Sequence, residues 1–138
     1  MTHLLSPLLT VTLAVAICMV TMVGFSSAEE PESDKPERLL RHVVVFKFKE
    51  DASEEDIKKV EEAFRALPKE IKEIHNFEWG TNNSPEMLNK GFTHCFLVTF
   101  ASEKDRDAYL PHPEHEKFVA ILRPHLEDAF VVDYWSSK

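Results

Sequence analysis

The sequence predicts a single small α+β domain, a four-stranded antiparallel sheet with helices on one face. Two observations carry that expectation. Hydrophobic residues alternate with period two in four short segments, and between them run stretches of helical spacing, in the order β-α-β-β-α-β. A third observation sets the limits of the domain: all 16 Lys and Arg and all 24 Asp and Glu lie after residue 28.

The first 28 residues have another character. Leu8 to Val23 is almost continuously apolar, Gly24 can break a helix, and Ser26-Ser27-Ala28 offers small residues for cleavage after Ala28. That is the layout of a secretory signal, although His3 and the free amine are its only polar cationic groups. Residues 1–28 are therefore read as a signal peptide. The product is expected to be secreted or periplasmic, or membrane-anchored if the segment stays uncleaved. Glu29 to Glu37 (EEPESDKPE) is charged and holds two prolines, which suits a flexible acidic leader. The domain then occupies residues 38–138.

Leu39 to Lys49 (LLRHVVVFKFK) is rich in β-branched and aromatic residues and reads as the first strand. Ser53 is a suitable N-cap, with Glu54, Glu55 and Asp56 in the following turn where acids complement the helix dipole. Ile57, Val60, Ala63, Phe64 and Leu67 recur at helical spacing, and Pro68 is expected to stop the run. Ile74 to Trp79 reads as a second strand ended by Gly80, and Thr81 to Gly91 as a long connection rich in turn residues. Phe92 to Phe100 (FTHCFLVTF) is the third strand. Ser102 can cap a short helix to Leu110, Pro113 can open another to Arg123, and Pro124 closes it. Phe130 to Trp135 (FVVDYW) completes the order, a ferredoxin-like split βαβ arrangement with its second helix broken.

Side-chain parity divides the sheet. One face takes His42, Val44, Phe46 and Phe48 from the first strand and Phe92, His94, Phe96, Val98 and Phe100 from the third. That bulkier face is expected to meet the helices, which can cover one face only. The other keeps Val43, Val45, Cys95, Leu97, Phe130 and Val132, too apolar for a face left in water. Covering it with a second subunit would contribute on the order of 10 kcal/mol, at about 1.5–3 kcal/mol per large side chain. These six residues are accordingly predicted to form a homodimer interface. A register shifted by one residue, or a leader folded over the face, are the alternatives.

The net charge of −8 argues against nucleic acid and against anionic lipid as partners, and no membrane association is expected after signal cleavage. With Cys18 removed, Cys95 is the only cysteine, so no intrachain disulfide can form. His112 and His115, at i and i+3 beside Glu114 and Glu116, are too few inward-facing ligands for a metal site, and neither metal nor organic cofactor is expected.

His115 shares a helix face with Phe118 and Leu122, near a helix N-terminus. Burial and the positive dipole end both favour a neutral ring able to accept a proton, with Tyr109 available to hydrogen-bond to it or to orient a carbonyl oxygen. Tyr109 and His115 are thus the candidate catalytic pair, set against the plainer reading of two satisfied core groups that fix the broken helix. His42, Val44, Phe46, His94, Phe96, Val98, Phe118 and Leu122 would line an apolar pocket if the break at Pro111–Pro113 leaves a gap. Asp133, on the His42 side, is placed to pair with a histidine or cap a backbone group.

The segments LLRHVVVFKFK, GFTHCFLVTF, DAYLPHPEH and VVDY, in this order, resemble the stress-responsive A/B barrel (Dabb) family over about 100 residues. The resemblance implies a ferredoxin-like subunit and a dimer whose two sheets form a barrel, and it implies little about activity. It includes a cofactor-free plant enzyme that closes a linear polyketide. Its first-strand histidine, T-H strand histidine, and the tyrosine and last histidine of its Y-x-x-H-P-x-H segment correspond to His42, His94, Tyr109 and His115. Three functions follow as expectations: an exported dimer binding a small apolar or aromatic ligand, a cofactor-free cyclase or lyase acting through Tyr109 and His115, or a purely structural dimer module. Fold alone does not rank them.

Overall fold

The computed structural model describes residues 38–137, and the segments expected to be a signal peptide (1–28) and an acidic leader (29–37) lie outside the described residues. The chain runs β1 (Leu40–Phe48), α1 (Glu54–Glu70), β2 (Asn76–Thr81), β3 (His94–Phe100), α2 (Glu103–Tyr109), α3 (Pro113–Leu122) and β4 (Leu126–Trp135). All neighbouring strands are antiparallel in a single sheet of order β2-β3-β1-β4, the ferredoxin-like arrangement.

Capping chemistry starts the helices where the residues indicate. The Ser53 side chain accepts from the Asp56 backbone N–H, and that of Ser102 from the Asp105 N–H. At α3 the cap is His112, whose Nδ1 accepts from the Glu114 N–H, while Pro113 fills the first helical position. One expectation fails in α1, which continues past Pro68 to Glu70. A proline in the last turn sacrifices one bond to the Phe64 carbonyl, but buried Leu67 and Ile71 hold the turn, and the Ile71 N–H reaches the Leu67 carbonyl at 2.9 Å.

Three strand boundaries also differ from expectation. β2 begins at Asn76 and runs through Gly80, which sits opposite Cys95 on an edge strand, while Ile74 anchors the preceding turn in the core. β3 begins at His94, not Phe92. β4 starts at Leu126, ahead of the expected Phe130, because the exposed Glu127 and Asp128 continue the ladder beside Lys47. Lys47 Nζ lies 2.6 Å from Glu127 Oε1.

The register bears out the parity argument. Val43 faces Leu97 on one side and Val132 on the other, and Val45 faces Cys95 and Phe130, so the six residues form two rows across three strands. Among the described residues no element covers this face. Phe130 is 55% exposed, and Val132 and Tyr134 are also exposed. The face is not uniformly apolar, since parity adds Arg41, Lys47 and Glu78; Arg41 Nη1 donates to the buried Thr99 hydroxyl at 2.6 Å.

On the opposite face Phe46, Phe64, Phe96 and Phe118 form one aromatic cluster, with the Phe64 and Phe96 rings 4.3 Å apart and Phe64 and Phe118 4.4 Å apart. Val60, Leu67, Ile71, Val98, Phe100 and Leu122 complete the core around it. The helical layer stops short of β4, where Val131 is 53% exposed although it points to the helix side.

Candidate functional site

Histidines sit at both ends of the layer between sheet and helices. Antiparallel pairing produces this separation: His42 lies opposite Val98, and His94 opposite Phe46. The two are therefore four residues apart along the ladder and belong to different clusters.

At one end, His94 is buried and fully partnered. Its Nε2 lies 2.9 Å from Glu61 Oε1 on α1 and its Nδ1 2.8 Å from the Thr93 hydroxyl. A carboxylate can only accept, so Nε2–H donates to Glu61 and Nδ1 accepts from Thr93. Phe48 meets the ring edge-on at 5.0 Å. With both nitrogens engaged, His94 has the surroundings of a structural histidine. Glu61 was not foreseen, because nothing local links a surface-type glutamate on α1 to a strand histidine.

The other end gathers His42, Tyr109 and His115, with Phe100 beside them. The break between α2 and α3 makes this possible, since Leu110 ends one helix and His112 starts the next, which turns the His115 ring toward Tyr109. Their ring centroids are 4.4 Å apart, and His42 lies 6.0 Å from Tyr109, edge to face. His42 is backed by Asp133: Nδ1 lies 2.6 Å from Oδ1, and the other carboxylate oxygen takes Arg106 Nη1 at 3.1 Å. Of the two roles open to Asp133 in the sequence, pairing with a histidine is the one observed. Arg106 had no signal of its own and reaches Asp133 only because α2 packs on the sheet at β3.

Two features make this end chemically unusual. The Tyr109 side chain is 0% exposed, and its hydroxyl has no hydrogen-bond partner among the described residues. Burial pushes its pKa well above the ordinary value, so it remains a neutral donor. His115 donates through Nδ1 to the Leu110 carbonyl at 2.9 Å, which leaves the lone pair on Nε2. Burial lowers its pKa, against the smaller opposing effect of the Leu110 carbonyl, and the nearby His42 lowers it further. The pair thus supplies a fixed hydrogen-bond donor next to a neutral imidazole with a free basic nitrogen.

Most of the residues expected to line a pocket are buried in the core, while His94 borders a cavity on the open side of the sheet. Val44, Phe46, Phe96, Val98, Phe118 and Leu122 are core, packed against one another and against α1. The Phe64 ring of α1 packs against Phe96 and Phe118, so these side chains are occupied by one another. Open space lies to either side of this core. A cavity of about 690 Å³ abuts His115 and is lined by Leu110, Glu116, Val119, Ala120, Arg123 and Pro124. Val119 and Arg123 follow His115 at i+4 and i+8, so helical spacing alone could have identified them. A second cavity, of about 680 Å³, lies on the open side of the sheet. Among the described residues no group of three or more His, Cys, Asp or Glu is placed to hold a metal, and no helix is long and apolar enough to cross a membrane.

Comparison with known proteins gives this geometry a context. A family model described as Stress Responsive A/B Barrel Domain matches residues 40–136. The chain is 34% identical over 95 residues to the stress-response A/B barrel domain-containing protein HS1 of Arabidopsis thaliana, covering 69% of this chain and 87% of the relative. It is 27% identical over 99 residues to olivetolic acid cyclase of Cannabis sativa, covering 72% and 98%. Among solved structures, hydroxynitrile lyase from Passiflora edulis superposes with a TM-score of 0.69 at 28% identity, covering 75% of this chain and 96% of that one. A protein of unknown function from Bacteroides fragilis, described as dimeric with a ferredoxin-like fold, does so with a TM-score of 0.58 at 30% identity, covering 70% and 94%.

Proposed function

This chain belongs to the stress-responsive A/B barrel family, and from that premise we propose that it is an exported homodimer that binds a small apolar or aromatic molecule through an oxygen acceptor placed against Tyr109. The observation that carries the reading is the unpartnered, buried Tyr109 hydroxyl. Leaving such a group unsatisfied costs about 1–3 kcal/mol. A phenylalanine would fill the same space without that cost, so a structural role alone gives no reason for the hydroxyl. A ligand carbonyl or hydroxyl reaching past His115 would satisfy it, and the cavity that His115 lines, though Tyr109 does not, offers room for an apolar body.

Homodimerisation is supported by the uncovered rows around Val43 and Val45 and by the dimeric description of a 30% identical relative. Export rests on the residue pattern of positions 1–28.

Thermal shift against a panel of aromatic aldehydes, ketones and phenols tests the binding reading. Compounds that raise the melting temperature of the wild type are expected to lose that effect in Tyr109→Phe. An unchanged shift in the variant contradicts the assignment.

A second reading, cofactor-free cyclase or lyase chemistry, is favoured by the fixed tautomer of His115. Its Nε2 could take a proton from a substrate carbon or hydroxyl while Tyr109 donates a hydrogen bond to the oxygen on which charge develops. Two of the relatives are named as enzymes, a cyclase and a lyase. Turnover of linear polyketide or cyanohydrin substrates, lost in both Tyr109→Phe and His115→Ala with folding intact, supports this reading, and full activity in the two variants removes it.

A further inference from the structure

The connection between β2 and β3 is built outward over the uncovered face of the sheet. Its stem is held by the Asn82 N–H on the Thr93 carbonyl at 2.8 Å and the Thr93 N–H on the Phe46 carbonyl at 2.9 Å. Nearer the tip, Asn89 and Phe92 bond to each other in both directions, backbone N–H to the Asn89 carbonyl and Asn89 Nδ2 to the Phe92 carbonyl. Gly91, at φ +85°, passes so close to β1 that a Cβ there would lie 2.7 Å from Lys47 Cε. The segment is thus held by its own bonds, yet its tip carries Met87 and Leu88, 87% and 73% exposed, the most exposed large hydrophobic side chains among the described residues.

Leu88 faces the same cavity of about 680 Å³ as Val45, Cys95, Leu97 and Phe130. The loop therefore forms a wall beside the open sheet face and is continuous with it. An exposed apolar wall beside an exposed apolar floor has the shape of a clamp. Nothing in the described part of the chain occupies it.

Resting on the homodimer reading above, we propose that this loop is an intersubunit clamp: Leu88, with Met87 beside it, closes over the β4 side of a second copy of this chain, around Phe130 of the partner subunit. Charge and topology select that occupant. β2 and β4 are the two edges of the sheet. A two-fold axis that stacked β2 on its own copy would bring two Glu78 carboxylates toward each other on the facing surfaces. An axis running along the strands instead sets the β2 side, with its loop, over the β4 side of the partner. There Phe130, Val132 and Tyr134 are exposed and in need of cover. The wall of each subunit would then shield the edge of the other.

Sedimentation equilibrium on protein purified after expression of the full chain tests this, with wild type compared with Leu88→Asp and with Met87→Asp/Leu88→Asp. The expected result is a dissociation constant raised at least tenfold in Leu88→Asp and further in the double variant. Thermal stability in the monomeric range should be unchanged, because both side chains are exposed in the isolated subunit. Met87 sulfoxide formation under dilute peroxide provides a readout without mutation, expected to be slower above the dimerisation concentration than below it. A wild-type dimer whose dissociation constant is untouched by either variant, with Met87 oxidised at the same rate at all concentrations, overturns the clamp while leaving the homodimer standing. A wild type that is monomeric throughout removes the homodimer itself.

Discussion

His42 and Asp133 stand opposite each other on the β1–β4 ladder, and their side chains meet at 2.6 Å, Nδ1 to Oδ1. The contact fixes the imidazole, since the proton must sit on the nitrogen that faces the carboxylate, and it leaves Nε2 for another partner. Arg106 holds the second carboxylate oxygen and completes a chain from α2 through β4 to β1. Removing the carboxylate frees both partners. Asp133→Ala is expected to cost about 1.5–3 kcal/mol, the range for a hydrogen bond to a charged group, measured as a lower urea midpoint with unchanged slope. A midpoint equal to wild type would show that the contact does not contribute.

Tyr109→Phe should act in the opposite direction. The hydroxyl is buried without a partner, so deleting it removes a desolvated group and opens no cavity. The unliganded variant is expected to be as stable as wild type or more stable by up to about 1–3 kcal/mol, while ligand binding is lost. Destabilisation in urea would mean that the hydroxyl has a structural partner, and the binding proposal would then lose its premise.

His115 links stability to acid. Burial lowers its pKa below the ordinary value of 6.5. Between the folded and the unfolded value the unfolded chain binds more protons, so stability increases with pH across that window. The contribution is complete above pH 6.5 and is lost as pH falls through the lower folded value. Melting temperatures recorded from pH 7.5 to 4.5 should therefore decline less steeply in His115→Gln than in wild type. Parallel curves would contradict the assignment.

The aromatic cluster supports both ends of the layer. Phe64 on α1 touches Phe46, Phe77, Phe96 and Phe118, from three strands and α3. Phe64→Ala is expected to cost about 3–5 kcal/mol. That is a large share of the roughly 5–15 kcal/mol available to a small domain, so circular dichroism at 37 °C should show substantial unfolding. Near-native melting would mean that the surrounding rings collapse into the space.

Much of the fold was legible because it depends on local periodicity. Parity alone put Val43, Val45, Cys95, Leu97, Phe130 and Val132 on one face, and the ladder pairs them as that implies. The cap at Ser53 and the break at Pro113 likewise follow from single residues. Boundaries failed where tertiary contacts outweighed local signals: Pro68 stays helical because Leu67 and Ile71 are buried, and Glu127 joins a strand beside Lys47. The site divides in the same way. The approach of Tyr109 to His115 follows from a short segment around a helix break. The union of Glu61 with His94, and of Arg106 with Asp133, depends on how α1 and α2 lie on the sheet, which no spacing within either segment encodes. Several side chains expected to line a pocket are core instead, packed around Phe64 from another element.

The fate of the bare β-surface around Val43 and Val45 decides whether the chain pairs with a second copy, and sedimentation velocity at micromolar concentration measures it directly. A single boundary with the mass of two chains, shifting to one chain in Val45→Asp, is the expected result. A wild-type protein that sediments as one chain across the range contradicts the account.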